Sequence, residues 1–158
     1  MLERSKQKAK EWVANAIEFY KNSGKEIALA EFTNPKGLFV QDEMYIFVLD
    51  SQGNMVAHGV NEKYANKSFI DLKDSKGKTF IREIVEGSGT EGKGWVEYQW
   101  YNPVTKVTKP KTLYFEKVDD VIICSGIYIE RLLDIISYNL EHMQYRGDAY
   151  FGEYQPRV

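Results

Sequence analysis

Apolar positions recur along this chain with two periods, and the change from one to the other lays out its elements. Ala9, Trp12, Val13, Ala16, Ile17 and Tyr20 fall at i, i+3, i+4, i+7, i+8 and i+11, a continuous helical stripe. Asn22-Ser23-Gly24 ends that helix. Ser23, with Glu26 three residues on, has the form of a capping box that starts a second, short helix through Phe32. Asn34-Pro35-Lys36-Gly37 then breaks it. Met44 to Asp50 and Met55 to His58 read as the first two strands, joined by the hairpin-length Ser51-Gln52-Gly53-Asn54. A polar connection from Gly59 to Lys78 leads into a short helix with Phe80, Ile81, Ile84 and Val85 on its buried face. Gly87 to Gly94 reads as a flexible loop into the next strand.

From Gly94 to Tyr114 the pattern is two strands and a turn. Val96, Tyr98 and Trp100 share one face of the third strand, with Glu97 and Gln99 on the other. The fourth strand runs from about Lys111 to Val118, Asp119-Asp120 turns the chain, and Val121 to Ile129 is the fifth. That strand is apolar on both faces, as a central strand covered on both sides should be. Glu130 to about Arg146 has a helical stripe of Leu132, Leu133, Ile136, Leu140 and Met143, and no clear period follows Gly147. The order predicts an α+β fold of PAS-like topology: a five-stranded antiparallel sheet, a long N-terminal helix, connections draped over one face, and a C-terminal helix.

Composition narrows the function classes. A chain of 158 residues is long enough to bury a real core, and a hydrophobic fraction of 43% sets aside disordered and collagen-like readings. Net charge is −2 with lysines scattered, so the basic stripe of a nucleic-acid surface is missing. The longest apolar runs, Tyr45–Leu49 and Val121–Cys124, are too short to span a bilayer. Met1-Leu2-Glu3-Arg4-Ser5-Lys6 leads into a charged segment without the apolar stretch of a signal peptide, which fits a cytosolic protein or a trimmed mature form. Two distant histidines and one cysteine give no metal cluster, and C-x-x-C-H is absent. The glycine-rich stretch lacks the G-K-[ST] ending of a phosphate loop, so no cofactor is expected. Cys124, in an apolar run, reads as a buried small hydrophobe.

The candidate chemistry is that of a binding pocket. Tyr98 and Trp100 point inward if Glu97 and Gln99 take the wet face, although aromatics are also common strand fillers. Trp95 sits one parity out and fits a rim. Lys111, after Pro110, is either a solvated lysine or a pocket ammonium suited to a small carboxylate. Strand parity turns Lys111 and Tyr114 to opposite faces. His58 ends a strand as a satisfied structural group or as a donor to a carboxylate, and as a charged donor it would make binding pH-sensitive. Tyr45 is either core or a phenolic donor, and Ser125-Gly126 leaves space over the central strand.

Six segments in order resemble one family. They are Ala28–Val40 (A-L-A-E-F-T-N-P-K-G-L-F-V), Tyr45–Gly59 (Y-I-F-V-L-D-S-Q-G-N-M-V-A-H-G), Asp71–Phe80, Gly94–Thr105, Pro110–Asp120 and Cys124–Tyr128. The chain is similar to single Cache domains of type 2, the PAS-like extracytoplasmic sensors of bacterial chemoreceptors and histidine kinases. The resemblance covers roughly residues 9 to 129 and implies a sensor domain over 1–129, with 130–158 as a C-terminal extension. It implies ligand binding without turnover, with short-chain or hydroxy carboxylates as the leading class. It also implies Lys111 and Tyr114 of the P-K-x-x-Y segment as ligand contacts, and a periplasmic or extracytoplasmic location. The absence of a signal peptide keeps a cytoplasmic location open. Two further readings remain: a PAS-like dimerisation module with a vestigial pocket, pairing through the N-terminal helix, and a small enzyme with His58 as base.

Overall fold

The structure is a computed structural model, and it describes residues 2–129 together with Ile136 and Leu140. Helix α1 spans Leu2–Ser23 and α2 spans Lys25–Thr33. Strand β1 is Phe47–Asp50 and β2 is Met55–His58, followed by a 3-10 turn at Glu62–Tyr64. Helix α3 is Phe80–Thr90, and β3, β4 and β5 are Lys93–Tyr101, Thr108–Val118 and Val121–Tyr128. The strands form one antiparallel sheet in the order β2-β1-β5-β4-β3. The α+β, PAS-like architecture expected from the pattern is the one observed.

All eight residues of β5 are buried, because β5 lies mid-sheet with helices on both faces. Ile123 joins Val13, Ala16, Ile17 and Tyr20 of α1 in one core, while Ile122 and Cys124 join Phe80, Ile81 and Ile84 of α3 in the other. The α1 stripe is therefore occupied by the chain's own sheet. A homodimer through the helix, expected from that stripe, has only the helix's polar outer side to use. Ile136 and Leu140 are exposed. The remainder of the expected C-terminal helix lies outside the described residues.

Three local expectations are corrected. No capping box forms at Ser23: α1 runs through Ser23, and Gly24 caps α2 at φ 87°, a conformation that costs glycine little. Residues 87–90 are the last turn of α3 rather than a loop. Gly87 serves close approach, since a Cβ there would lie 2.8 Å from Phe115 Cζ. Finally, β1 starts at Phe47, because Met44 exchanges both backbone bonds with Gln41 at 2.9 Å, while β4 starts earlier, at Thr108.

Candidate functional site

The α3 face of the sheet is roofed by α3 and by the connection of residues 59–79. Alternation within each strand decides who faces it. Lys111, Leu113 and Phe115 of β4 point to this side, with Val96, Tyr98 and Trp100 of β3, and Tyr45, Phe47 and Leu49 in and before β1. Thr112 and Tyr114 alternate to the α1 side, where Tyr114 packs with Val13 and Ile17.

Lys111 is the centre of the arrangement. It is 2% exposed, and its Nζ donates to Tyr45 Oη at 3.0 Å. Nζ lies 4.3 Å from the Tyr45 ring centre, 5.0 Å from that of Tyr128 and 5.9 Å from that of Phe47, an aromatic cage for the ammonium. Among the described residues it makes no ion pair. The stem of Lys111 fits because residue 126 is glycine: a Cβ there would lie 2.8 Å from Lys111 Cε and 2.7 Å from the Thr112 carbonyl oxygen.

Around this lysine stand the other polar groups. Tyr98 pairs across the ladder with Lys111 and stacks on Phe80 with ring centres 3.9 Å apart. Burial, with the nearby Tyr45 phenol second, raises the Tyr98 pKa well above its ordinary value, so its hydroxyl stays protonated. His58 is 3% exposed, packed at 5.0 Å between ring centres against both Tyr45 and Tyr64. Its Nδ1 accepts from the Val60 and Asn61 amides at 3.3 and 3.0 Å. Burial first, and the Lys111 charge second, push its pKa down to about 3, so the imidazole is neutral.

Beside these groups lies a cavity of about 20 Å³, lined by Tyr45, Phe47, Met55, Phe69, Leu72, Phe80, Ile81, Tyr98 and Trp100. That is room for about one water molecule. The roof is pinned across it. The buried Asp74 carboxylate accepts from Gln99 N of β3 at 2.8 Å and from the Lys76 and Lys78 amides, and Lys78 Nζ donates to the Glu97 carbonyl at 2.6 Å. Burial alone would raise the Asp74 pKa, but the amides of Gln99, Lys78 and Lys76 outweigh it and hold it below its ordinary value.

The structure thus brings Tyr45, His58, Tyr98, Trp100 and Lys111 to one place. It does not bring Tyr114, Trp95 or Ser125 there. Tyr114 and Trp95 pair on the α1 side, their ring centres 5.0 Å apart, with Lys6 Nζ 4.8 Å over Trp95. Ser125 Oγ donates to the Tyr45 carbonyl at 2.9 Å and fixes that backbone from the far side of the sheet. The sequence reading missed Tyr128 and Asp74. Tyr128 was within reach of it, because pairing from the Asp119-Asp120 turn puts Tyr128 opposite Lys111. Asp74 carried no such signal, since its partner Gln99 N–H is distant in sequence. Among the described residues no group of His, Cys, Asp and Glu could hold a metal ion, and no helix is long and apolar enough to cross a membrane.

An antiparallel sheet with helices on both faces, enclosing a polar cage under a pinned connection, defines a PAS-like sensor domain. The sequence profile described as Single Cache domain 2 matches residues 2–150, and the chain belongs to that family of sensor domains in signal transduction. Among solved structures it is similar to a methyl-accepting chemotaxis protein from Vibrio parahaemolyticus RIMD 2210633, with 24% identity over 82% of this chain and 91% of that one and a TM-score of 0.72. It is also similar to a Cache chemosensory domain described for carboxylic acid recognition, with 26% identity, TM-score 0.70, and 82% and 97% of the two chains covered. A periplasmic sensor domain of a chemotaxis protein shares the fold, with 21% identity, TM-score 0.64, and the same 82% and 97% coverage.

Proposed function

We propose that this chain reversibly binds a small organic carboxylate, without turnover, as an extracytoplasmic sensor, and that the sensor unit ends at Ile129. The observation that carries this reading is Lys111: a cation, 2% exposed, whose polar partner among the described residues is a neutral phenol. A buried charge without a counter-charge is costly, and a bound carboxylate supplies one through charge-assisted hydrogen bonds. Tyr45 and Tyr98 add aromatic walls and phenolic donors, Tyr128, whose hydroxyl donates to the Tyr101 carbonyl, adds a wall, and Trp100 lines the adjoining cavity. The similar Cache domain associated with carboxylic acid recognition supports the same ligand class. Binding then favours one arrangement of sheet and helices over another.

One observation favours a second reading, an interaction module with a vestigial pocket: the cavity of about 20 Å³ has room for little more than one water molecule, and neither Lys111 nor His58 lines it. Under the first reading the roof over residues 59–79 lifts to admit ligand. Thermal shift with acetate, propionate, lactate and pyruvate decides. Ligand at a hundredfold excess over Kd stabilises the folded state by about 2.7 kcal/mol, a rise of several degrees. A flat response to all four acids sinks the sensor reading in favour of the second.

A further inference from the structure

One side chain stands between two hollows on the α3 side of the sheet. The inner cavity is lined in part by Tyr45 and Phe47, two of the rings that hold the Lys111 ammonium, and by Trp100. A second, open cleft of about 240 Å³ is walled by Tyr64, Asp74, Gln99, Trp100 and Tyr101. Trp100 is the residue that lines both. Another surface cleft, of about 280 Å³ between Thr33 and residues 59–63, shares no lining residue with the inner cavity. The three tryptophans are also held differently. Trp12 Nε1 donates to the Phe39 carbonyl at 3.0 Å, and Trp95 packs on Tyr114 under Lys6. The Trp100 indole is half-buried, and its N–H has no hydrogen-bond partner among the described residues. Its ring meets Phe80 and Tyr98 edge-on, with ring centres 5.4 and 6.2 Å apart. Turning outward costs this ring two edge contacts and no hydrogen bond, and it brings the N–H to water.

We propose that Trp100 is the door of the site: its indole turns out into the cleft and opens the way for a carboxylate from solvent to the Lys111 ammonium. The inference rests on the carboxylate reading above. The swing is outward, because the cleft of about 240 Å³ has the volume of several water molecules and the inner cavity that of one. The roof then needs to part from β3 only along the seam at Trp100. Gln99, the residue before it, donates its backbone N–H to Asp74, so the pin that holds the roof stands beside the door. Loss of that pin widens the seam. With the door shut, the indole keeps water from the ammonium–carboxylate pair, and a charge pair shielded from water is the stronger one. Entry and exit therefore follow the motion of the ring, while the contacts inside set most of the affinity.

The test has one arm without ligand and one with it. The full chain is labelled with fluorotryptophan, and its fluorine signals are assigned with Trp12→Phe, Trp95→Phe and Trp100→Phe. The Trp100 signal should show microsecond-to-millisecond exchange, while Trp12 shows none. Acetate, propionate, lactate and pyruvate are then titrated into the wild type and Trp100→Ala, with association and dissociation rates read from the line shapes of the acids' own signals. Loss of a mere wall would speed dissociation and leave association as it was. Removal of a door should raise the association rate of the tightest-binding acid about tenfold or more. A Trp100 signal without exchange, or an association rate within about twofold of wild type, overturns the door and leaves the carboxylate reading standing. Absence of binding by all four acids to the wild type overturns both. If Trp100→Ala does not fold, the fluorine spectra of the wild type decide alone.

Discussion

Lys111 Nζ donates to the Tyr45 hydroxyl at 3.0 Å across 66 residues of sequence, tying β4 to the segment that leads into β1. The phenol orients the ammonium and leaves its charge uncompensated. The site is thus organised around an electrostatic debt held inside the fold, and that has a measurable sign.

Lys111→Met keeps the length of the stem and removes the charge. The empty protein should gain about 1–3 kcal/mol, because an unpaired buried ion is replaced by a side chain that prefers the interior. The stabilisation by carboxylates should vanish in the same variant. Urea denaturation with and without acid checks both; a variant less stable than wild type, or one still stabilised by ligand, contradicts the account.

Asp74 pins the roof to β3, so its removal should loosen residues 59–79 first. Asp74→Ala should cost about 1–2 kcal/mol and speed ligand dissociation. Hydrogen exchange of the connection, read against exchange in β5, reports it, and unchanged protection of residues 67–78 would refute it. The Asp74 pKa is lower folded than unfolded, so its contribution is complete above the unfolded value of about 3.9 and is lost as pH falls through the folded one.

His58 works on a different pH window. Its folded pKa, about 3, lies below the ordinary 6.5, so the unfolded chain binds the extra proton in between. Stability should fall as pH drops from 6.5 towards 3, by about 2 kcal/mol at pH 5. His58→Asn should flatten that part of the profile. Parallel stability–pH curves for the two proteins would show that the ring titrates normally.

Gly126→Ala places a methyl 2.7 Å from a backbone oxygen and 2.8 Å from Lys111 Cε. The backbone cannot retreat cheaply, so a loss of about 1–3 kcal/mol is expected, together with a displaced ammonium and weaker carboxylate response. Normal stability and normal binding in this variant would mean that the lysine stem moves aside without cost.

Much of the fold was legible because burial imposes period on sequence. The α1 stripe, the doubly apolar β5 and the Asp119-Asp120 turn each fixed an element, and parity correctly separated Lys111 from Tyr114. The capping box at Ser23 misled because a left-handed glycine one residue on decides where the chain breaks. The glycines of 87–94 misled because two of them, Gly87 and Gly94, are there for contact with Phe115, a partner more than twenty residues away. Within the site, Trp100 and Tyr98 announced themselves by strand parity, and Lys111 by its place after Pro110 and by the family resemblance. The acceptor role of His58 Nδ1 and the Asp74 pin did not, since both depend on the directions of backbone amides that no residue pattern encodes.

The sheet is a single strand-layer thick, and β4 presents alternate residues to its two sides. Lys111 and Leu113 face the cage, while Thr112 and Tyr114 between and beyond them face α1, with Lys10 Nζ 5.8 Å from the centre of the Tyr114 ring. Sensor and lever are therefore two edges of the same ribbon. A rotation of β4 about its own axis that draws Lys111 toward a ligand must swing Tyr114 the opposite way against the helix, so no relay of intervening residues is needed between them.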